Sequence, residues 1–420
     1  MTAQVDPSRS RPHVVLGVGG GIAAYKACEL LRRFTESGHD VTVVPTEAAL
    51  EFVGAATWSA LSGKPVSASV WDDVHQVPHV RIGQSADLVV VAPATANLLA
   101  KDAHGLADDL LTNTLLTARC PVVFAPAMHT EMWEHAATRA NVATLRERGT
   151  HVIEPAEGRL TGADTGKGRL PDPEEIFGFA VDVLARHLEG QSLLRDLAGR
   201  RVVVSAGGTR EYLDPVRFLG NRSSGLQGFA LARTAAARGA EVTLVAANTA
   251  LADPAGVKVL RVETTEQLQQ AVVDAAAGAD AVVMAAAPAD FRPVSASGSK
   301  IKKTADGSTP SLALTETPDI LAGLVRDRPV GSRQVIVGFA AETGDANGSV
   351  LDHARTKLAR KGCDLLVVND VGGGAVFGSP DNEAVVLRPD ADPVPVPHGS
   401  KSALAHVVWD QVADLLDAPR

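Results

Sequence analysis

The sequence predicts an α/β fold made of two doubly wound, mainly parallel-sheet, Rossmann-like domains. A β-branched run at residues 201–205 ends at a pair of glycines, and a glycine- and serine-rich segment at 221–228 then opens an alanine-rich helical segment. That segment ends near Gly239 and a second apolar run follows, which together indicate a βαβ unit. The same order of strand, glycine turn, helix and strand begins at His13. A βαβ unit that starts anew at residue 200 indicates a second domain.

Composition limits the possible functions. A chain of 420 residues is long enough for two or three domains, and its net charge of −9 disfavours non-specific nucleic-acid binding. Cys28, Cys120 and Cys363 are isolated, so they predict neither a disulfide framework nor a zinc site. No apolar run approaches the ~20 residues of a membrane span. We therefore expect a cytoplasmic protein with small-molecule ligands.

The first domain is expected at residues 13–190, after a disordered N-terminus at 1–12. His13–Val18 is predicted as a strand, followed by three glycines, an amphipathic helix at 22–37 and a strand at 41–44. The spacing Gly17-x-Gly19 resembles a dinucleotide fingerprint. However, Ile22 takes the place of the third glycine, and no acidic residue follows the second strand to bind a ribose, so NAD is disfavoured. A tight βα connection without a ligand is an equally good explanation of the turn.

Small and polar residues follow two further predicted strands of this domain. Residues 85–101 form a strand that runs into small residues and Asn97 before a helix, and residues 120–133 form a strand that ends in a Pro/Met/His turn. Open α/β sheets bind ligands at such carboxyl ends. Residues 106–118 are predicted as a helix between them. His79 lies just before a strand pattern, where a lone histidine is more often structural than catalytic.

The second domain is expected at residues 191–420. Small residues at 285–289 follow a predicted strand and are succeeded by Asp290, and residues 292–311, rich in Ser, Gly and Lys, are predicted as a mobile loop. This loop carries Lys300, Lys302 and Lys303. A lysine cluster is usually solvated surface, but the adjacent glycine turns and the acidic net charge favour a function here.

Lys357 and Lys361 fall on one face of a predicted helix. Like charges at this spacing repel each other unless an anion lies opposite.

Several independent motifs resemble known families. GVGGGIAAYK, ADLVVVAPATAN, an acidic helix start at 107–109, PAMHTEMW and GADTGKGRLPDP resemble the homo-oligomeric flavin-containing cysteine decarboxylases. NRSSG, AAAPADF and KIKK resemble the phosphopantothenate–cysteine ligases. Their order and the chain length resemble the bifunctional coenzyme A biosynthesis family, in which phosphopantothenoylcysteine decarboxylase is fused to phosphopantothenate–cysteine ligase.

The resemblance implies FMN chemistry in the first domain. His79 matches the essential decarboxylase histidine, which overrides the structural interpretation. The family's chemistry is oxidation of the substrate's cysteinyl thiol by the flavin, loss of carbon dioxide to an enethiolate, and return of the electrons to give 4′-phosphopantetheine. The positions implied to bind FMN are Gly20, Gly21, Thr46, Ser59, Ala94, Thr95 and Asn97.

Two departures from the family pattern concern proton transfer. His129 replaces the usual asparagine of the PAMN motif, and Gly162 replaces a cysteine that protonates the enethiolate within the lid at residues 156–170. Neither Cys28 nor Cys120 lies in that motif. Two explanations of His129 carry equal weight: it is the substitute proton donor, or it preserves asparagine's hydrogen bond to the substrate while water supplies the proton.

In the second domain the resemblance implies that Asn221 serves an acyl-cytidylate intermediate and that Lys300 acts catalytically on CTP. Mg²⁺ is expected with CTP, through ligands that the sequence does not identify. A homo-oligomer is also implied, with decarboxylase trimers linked by ligase dimers. The positions implied to bind CTP are Met284, Ala285, Ala286, Asp290, Lys300, Pro318, Asp319, Ile320, Leu321, Phe339, Lys357 and Lys361.

Three other functions compete with this interpretation. A NAD(P) oxidoreductase is disfavoured because neither candidate second strand ends in a ribose-binding acid. A flavin-binding regulator or a prenyltransferase-type protein shares the first-domain pattern but not the ligase motifs. A non-enzymatic interaction protein is the weakest alternative, since glycine turns and a lysine loop pack poorly without ligands.

Overall fold

The computed structural model describes residues 11–69, 77–160, 164–190, 195–302, 311–342, 349–370, 381–389 and 391–418. The chain divides into two compact units, Met1–Leu194 and Arg195–Arg420. The predicted disorder of residues 1–10 lies outside the described residues, as do Gly162 and Lys303. In the part of the chain that is described, no helix is both long and apolar enough to cross a bilayer.

The first unit alternates strands and helices. Its elements are β1 His13–Val18, α1 Ala24–Glu36, β2 Asp40–Pro45, α2 Glu47–Leu50, α3 Ala55–Ser62, α4 Pro78–Ser85, β3 Leu88–Ala94, α5 Ala96–His104, α6 Leu110–Thr117, β4 Val122–Pro126, α7 Thr130–Glu134, α8 Ala136–Glu147, β5 His151–Val152, β6 Ala156–Arg159, β7 Thr165–Arg169 and α9 Pro173–Leu188.

The sheet of this unit is five-stranded and parallel, in the order β2-β1-β3-β4-β5. Every residue of β1 and β3 is buried. Near-continuous apolar runs of this kind are typical of parallel strands that are covered by helices on both faces. β6 and β7 form a separate antiparallel hairpin. The predicted doubly wound fold is confirmed for this unit.

One local prediction for this unit is wrong. His79 precedes β3 in the chain, as expected, and it is the second residue of α4, which Pro78 begins because proline favours the first helical turn. Asn97, however, does not precede its helix. Thr95 is the N-cap of α5, so Asn97 already lies in the first helical turn.

The second unit repeats the alternation and ends in an antiparallel pair. Its elements are β8 Arg201–Gly207, β9 Glu211–Tyr212, β10 Phe218–Leu219, α10 Leu226–Ala237, β11 Glu241–Ala247, β12 Val257–Val262, α11 Thr265–Ala276, β13 Ala281–Met284, β14 Phe291–Pro293, β15 Leu314–Glu316, α12 Ile320–Asp327, β16 Val335–Glu342, α13 Val350–Lys361, β17 Leu365–Asp370, β18 Asp381–Leu387, β19 Val394–Ser400 and α14 Lys401–Asp417.

The sheet of the second unit has eight strands in the order β12-β11-β8-β13-β16-β17-β18-β19. The first six are parallel and follow the Rossmann order 3-2-1-4-5-6, and the last two pair antiparallel. In the first unit β1 lies between β2 and β3, and in the second unit β8 lies between β11 and β13, so in both sheets the strand order reverses beside the first strand. This shared order confirms the prediction of two Rossmann-like sheets.

Alternate residues of β8 pack on opposite faces of this sheet, as strand geometry requires. Val202 and Val204 join a core with α10 and α14, in which Trp409 is fully buried and donates its indole N–H to Leu231 O at 2.9 Å. Val203 joins the other core, under α11, α12 and α13. The carboxyl edge of the sheet is thus flanked by α10 and α14 on one face and by α12 and α13 on the other.

The prediction of a mobile loop at residues 292–311 is wrong for much of its described part. β14 pairs with β15, and Val294 N donates to Ala313 O at 3.0 Å. Further along, Ser297 N donates to Leu213 O at 2.9 Å, and Ile301 N donates to Asp214 Oδ2 at 3.1 Å. These hydrogen bonds hold the segment on the β9–β10 hairpin, an ordering that glycine- and serine-rich composition does not indicate.

Candidate active sites

The glycine turn after β1 lies at the point where the strand order of the first sheet reverses. Gly19 N donates to Pro93 O at the end of β3, at 3.0 Å. A Cβ on Gly19 would stand 2.5 Å from that oxygen, and a Cβ on Gly20 would stand 2.4 Å from Ala48 Cβ. A Cβ on Gly21, in contrast, would meet nothing within 4 Å. The turn therefore packs closely on the protein side and opens outward where ligands of such sheets bind.

Two threonines cap the helices that begin at this edge. Thr46 Oγ1 accepts from Ala49 N at 3.2 Å and caps α2, directly after β2. Thr95 Oγ1 accepts from Leu98 N at 3.3 Å and caps α5, directly after the buried Ala94. Thr46 follows the carboxyl end of β2, and Thr95 follows the carboxyl end of β3; both strands are neighbours of β1 in the sheet. The predicted FMN positions of these strands therefore share one edge of the sheet.

For Ser59 and Asn97, two other predicted FMN residues, the structure gives positions but no contact that defines a binding site. Ser59 is half-buried on α3, next to the fully buried Trp58, whose Nε1 donates to Val53 O at 2.9 Å. Asn97 is exposed on the first turn of α5. Neither residue makes a described contact that identifies a ligand, so their role in binding FMN stays a prediction.

His79 carries a buried ring nitrogen, Nδ1, that has no hydrogen-bond partner among the described residues. Its backbone oxygen accepts from Thr117 Oγ1 at 2.9 Å, which fixes the first turn of α4 against α6. An unsatisfied buried polar atom costs free energy and is rare in native proteins. No described hydrogen bond joins His79 to the predicted FMN residues, so its place in their site stays a prediction.

His129 lies at the N-cap of α7, on the turn that follows β4. Its side chain is 47% exposed, and its Nδ1 lies 3.4 Å from Asp164 Oδ2. The β6–β7 hairpin packs on this turn: Met128 N donates to Gly168 O at 3.0 Å, and a Cβ on Gly168 would come within 2.2 Å of Met128 O. The predicted lid and the predicted substrate turn are therefore in contact.

An ion-pair network braces the same hairpin. Glu154 accepts from Arg146 Nη2 at 2.7 Å and from Lys167 Nζ at 2.6 Å. Burial raises the pKa of Glu154, but the charges and hydrogen bonds of these two partners outweigh burial and hold that pKa below its usual range. The carboxylate therefore stays ionised and keeps Lys167 oriented.

The cysteines of the first unit do not stand in for the missing lid thiol. Cys120 precedes β4, at the amino edge of the sheet, and burial raises its pKa to about 12. Cys28 lies within α1, and burial raises its pKa as well. Cys120 and the His129 turn therefore lie at opposite ends of β4, and Cys28 lies on α1.

The second sheet has a corresponding switch point between β8 and β13. Gly207 has a φ of +83°, and a Cβ there would come within 1.9 Å of Ala247 O. Ala287 N donates to Gly207 O at 2.8 Å, which joins the segments that follow the two strands. Ala289 N is held by the buried Thr209 Oγ1 at 2.9 Å. Glycine and short side chains let these segments approach each other closely.

A cleft of about 860 Å³ opens at this edge. It brings together residues that are far apart in the sequence, from the glycine- and serine-rich turn to the lysines of α13. The sequence-predicted residues that line it are Asn221, Met284, Ala285, Ala286, Asp290, Pro318, Asp319, Ile320, Leu321, Phe339, Lys357 and Lys361.

Lys361 is paired with a carboxylate in this cleft. Its Nζ forms an ion pair with Asp319 Oδ2, while Asp319 Oδ1 accepts from Ala322 N at 3.1 Å as the N-cap of α12. Burial raises the pKa of Asp319, but the Lys361 and Ala322 hydrogen bonds prevail and lower that pKa overall. Asp319 is thus an anion opposite the repelling pair Lys357 and Lys361, and it orients the ammonium group of Lys361.

Asn221 is oriented by one hydrogen bond. Its Nδ2 donates to Pro288 O at 2.7 Å, and this carbonyl can only accept, so the amide nitrogen must face it. The amide oxygen of Asn221 is consequently directed away from Pro288. The contact joins the turn before α10 to the segment after β13.

Lys300 does not line the cleft wall. It is exposed, and the neighbouring Ile301 is held on the β9–β10 hairpin, where its oxygen accepts from Arg217 Nη2 at 2.5 Å. Lys302 is also exposed beside it. The catalytic role of Lys300 stays a prediction.

Sequence reasoning missed several polar residues that line the cleft. They come from the turn before α10 and its first helical turn, from α13, from the end of β17, and from the starts of β18 and α14. Asn369 among them has a buried Oδ1 with no hydrogen-bond partner in the described part of the chain. Short-range motifs could not find residues that only the sheet order assembles. The missed residues are Ser223, Ser224, Gln227, Arg360, Asn369, Asn382 and Lys401.

No group of three or more His, Cys, Asp and Glu side chains suited to a metal occurs within the described ranges. Mg²⁺ commonly binds through one or two carboxylates together with substrate phosphates. Such a mode needs no larger cluster, and the exposed Asp290 at the cleft is one available carboxylate.

Comparisons with known proteins agree with this division. Residues 3–185 match the flavoprotein family model, and residues 197–416 match the DNA/pantothenate metabolism flavoprotein C-terminal domain. The chain is 59% identical over 416 residues to the coenzyme A biosynthesis bifunctional protein CoaBC of Mycobacterium tuberculosis, covering 98% of this chain and 99% of that protein. It is 39% identical to the Vibrio parahaemolyticus CoaBC, covering 96% and 98%.

A solved C-terminal domain of a coenzyme A biosynthesis bifunctional protein CoaBC is 32% identical. It covers 53% of this chain and 98% of that chain, with a TM-score of 0.44. The full-length identities and the two matching domain models establish the relationship. The chain therefore belongs to the family of bifunctional coenzyme A biosynthesis enzymes, with a flavoprotein decarboxylase domain followed by a ligase domain.

Proposed function

We propose that the second unit joins 4′-phosphopantothenate to cysteine with CTP and that the first unit decarboxylates the product to 4′-phosphopantetheine with FMN. The observation that carries the proposal is the cleft of the second unit. It gathers twelve predicted positions, among them Asn221, Asp290, Lys357 and Lys361, at the switch point of a Rossmann-order sheet. Ligands of open α/β sheets bind at such points.

The ligation needs activation of a carboxylate, which is a poor acyl donor at neutral pH. The carboxylate oxygen of 4′-phosphopantothenate attacks the α-phosphorus of CTP and pyrophosphate leaves. The cysteine amine then attacks the acyl carbon of the resulting acyl-cytidylate and CMP leaves. Lys357 and Lys361 line the cleft and would neutralise the phosphate charge that shifts during the first step. Mg²⁺ bound with CTP would add to that neutralisation.

Recognition of cytosine is assigned to the segment after β13. The backbone N–H of Ala286 donates to Ser205 Oγ at 3.1 Å, and the N–H of Ala287 donates to Gly207 O. What this segment offers a base is therefore its carbonyl oxygens. A carbonyl is the partner that the exocyclic amine of cytosine needs, and uracil has no such amine.

The first unit has features that fit FMN. The open space beside Gly21, the close approach of Gly20 to Ala48, and the capped start of α5 at Thr95 form a cradle at the switch point. When bound, the flavin would supply two-electron oxidation of the substrate thiol and return of the electrons. Gly20, Gly21, Thr46, Ser59, Ala94, Thr95 and Asn97 would hold it.

His79 and His129 would act on the substrate in this unit. The buried Nδ1 of His79 lacks a partner within the described residues, as expected for a group reserved for a substrate atom. His129 lies with its Nδ1 3.4 Å from Asp164 Oδ2, and its imidazole would deliver a proton to the enethiolate. Cysteine is absent from position 162, where the family's donor is found.

Assembly into trimers through the first unit and dimers through the second is part of the proposal. Val77 is 45% exposed and Leu116 is 56% exposed, and both lie close in the chain to His79 or its partner Thr117. On the second unit, Phe218, Phe291 and Val294 are 45% to 62% exposed on the adjoining hairpins that carry β9, β10 and β14. Exposed apolar residues grouped in this way favour contacts between copies.

Two measurements test the proposed function. The purified protein should show the absorption bands of bound FMN. It should release pyrophosphate when CTP and 4′-phosphopantothenate are present, and it should release CMP only when cysteine is added to them. With all substrates it should evolve carbon dioxide and form 4′-phosphopantetheine. Absence of flavin would refute the first activity, and CMP release without the acid substrate would refute the second.

A further inference from the structure

The cleft of the second unit has a second cationic wall that sequence motifs did not indicate. Lys401, the first residue of α14, lines the cleft together with the first turn of α10. α10 and α14 cover one face of the sheet, whereas α13, which carries Lys357 and Lys361, covers the other. The two groups of lysines therefore approach the carboxyl edge from opposite faces.

Lys401 is a buried cation. Only 9% of the residue is exposed, and the described residues give its ammonium group no hydrogen bond and no ion pair. Burial lowers the pKa of Lys401, and the charge of the Asp381 carboxylate opposes that shift. A cation in largely buried surroundings costs free energy. An anion in the cleft would offset this cost.

A set of side-chain amides holds Lys401 in place. Gln227 Nε2 donates to Lys401 O at 3.1 Å, and Asn382 Nδ2 donates to Gln227 Oε1 at 3.3 Å. Asn382 is only 4% exposed, and its Oδ1 accepts from Glu383 N at 3.0 Å. Since each amide has a defined partner, the starts of α10 and α14 are fixed to each other.

The first turn of α10 supplies backbone donors at the same wall. Gly225 has a φ of +78° and provides no side-chain cap, and the hydroxyls of Ser223 and Ser224 are 3.4 and 3.5 Å from the N–H groups of Gly225 and Leu226. A Cβ on Gly228 would come within 2.4 Å of Ala206 Cβ, so glycine lets the helix start close to the sheet. Weakly satisfied N–H groups at a helix start favour anions.

We propose that Lys401, held by Gln227 and Asn382 against the start of α10, binds the phosphate monoester of the acid substrate. This inference rests on the proposed ligase function, which requires two phosphorylated substrates in one cleft. Lys357 and Lys361 serve the nucleotide on the opposite wall, so the two phosphate groups are kept apart. Asn221 donates to Pro288 O and so links the turn before α10 to the segment after β13, which also lines the cleft.

The test compares four variants by the rate of CMP release, with each substrate varied in turn. Lys401→Met should raise KM for 4′-phosphopantothenate by about ten- to hundredfold, the loss expected for a hydrogen bond to a charged group, and leave KM for CTP unchanged. Lys401→Arg should recover most of this loss. Lys357→Met should raise KM for CTP and leave KM for 4′-phosphopantothenate unchanged. Lys258→Met, which removes an exposed lysine from β12, should match the wild type.

Pantothenate, which lacks the phosphate, provides the discriminating substrate. Lys401→Met should lower kcat/KM for 4′-phosphopantothenate and leave the weak kcat/KM for pantothenate unchanged. Titration of 4′-phosphopantothenate without CTP should show the same loss of affinity.

Other outcomes would overturn the inference. A Lys401→Met enzyme that loses affinity for CTP instead would assign the lysine to the nucleotide, and equal losses with pantothenate would leave it only a structural role. If Lys401→Met does not fold, Gln227→Met must raise KM for 4′-phosphopantothenate in its place, and failure to do so rejects the proposal. A wild-type protein without CTP-dependent CMP release would refute the ligase function itself.

Discussion

The two units place their sites at equivalent points of similar parallel sheets but prepare them with different groups. In the first unit, threonine hydroxyls cap α2 and α5, and no lysine is among the predicted FMN positions. In the second, α10 begins at Gly225 without a side-chain cap, and lysines line both walls of the cleft. Neutral caps suit a cofactor that stays bound, whereas cations suit a triphosphate whose charge is redistributed during reaction.

The units also differ in how many of their predicted site residues are seen together within one unit. The ligase positions, apart from Lys300, line a single cleft of one unit. In the first unit, no described hydrogen bond connects His79 to the FMN edge, and exposed apolar residues flank the histidine. The comparison teaches that the strand order of one sheet gathers most of the predicted site residues of the second unit into one cleft, whereas no described hydrogen bond links His79 to the predicted FMN edge in the first unit.

The largest expected effect comes from separating the two activities. His79→Asn should reduce carbon dioxide release by roughly 10²- to 10⁴-fold, the usual contribution of an acid–base group, and leave CMP release near wild type. Lys300→Gln should do the reverse. Both rates are measured on the same preparation. Loss of both activities from either folded variant would contradict the view that the two sites are independent.

Asn221→Asp should impair the ligase next most strongly. A carboxylate cannot donate to Pro288 O, which now receives a hydrogen bond at 2.7 Å, and it would repel the acyl phosphate. We expect CMP release to fall by about tenfold or more, since a hydrogen bond is replaced by repulsion. Asn221→Gln, which keeps an uncharged amide, serves as the control. Wild-type CMP release by the Asp variant would exclude this role.

His129→Asn tests the altered lid and should change the products more than the overall rate. If His129 is the proton donor, carbon dioxide release continues, oxidised enethiol product accumulates, and flavin absorbance stays bleached. Asp164→Asn, which removes the carboxylate 3.4 Å from Nδ1, should give a weaker form of the same result. Formation of 4′-phosphopantetheine by His129→Asn at the wild-type rate would make His129 a binding residue only.

The smallest effect is expected at Asp319. Asp319→Asn keeps the helix cap on Ala322 N but breaks the ion pair with Lys361, whereas Asp319→Ala also loses the cap, which is worth about 1 kcal/mol. The pKa of Asp319 is lowered on folding, so the ion pair stabilises the protein above the unfolded pKa of 3.8 and stops doing so as the pH falls through the folded value.

Urea unfolding therefore should separate wild type from Asp319→Asn at neutral pH, and the gap should close in strongly acidic buffer. A gap that persists there would mean that the ion pair is not its source. The Asn variant also should raise KM for CTP modestly, because Lys361 loses the group that orients it.

Local sequence patterns determined the strands, the glycine turns and the capped helices. β1 was predicted residue for residue, because an uninterrupted apolar run before a glycine turn is read locally. The motifs NRSSG and AAAPADF indicated which strand ends carry chemistry. Asn97 was misplaced by a residue or two, since the start of α5 depends on the Thr95 hydroxyl that caps its first turn.

Only the tertiary structure decided what meets at the cleft. The antiparallel strands β18 and β19 reverse the direction of the chain, and α14 then packs beside α10. Lys401 therefore lies beside the start of α10, although more than 160 residues separate the two in sequence. The same applies to the anchoring of Ile301 by Asp214 and to the unpartnered Asn369 Oδ1. Such contacts follow from strand order and packing between distant segments, which no short-range pattern of residues specifies.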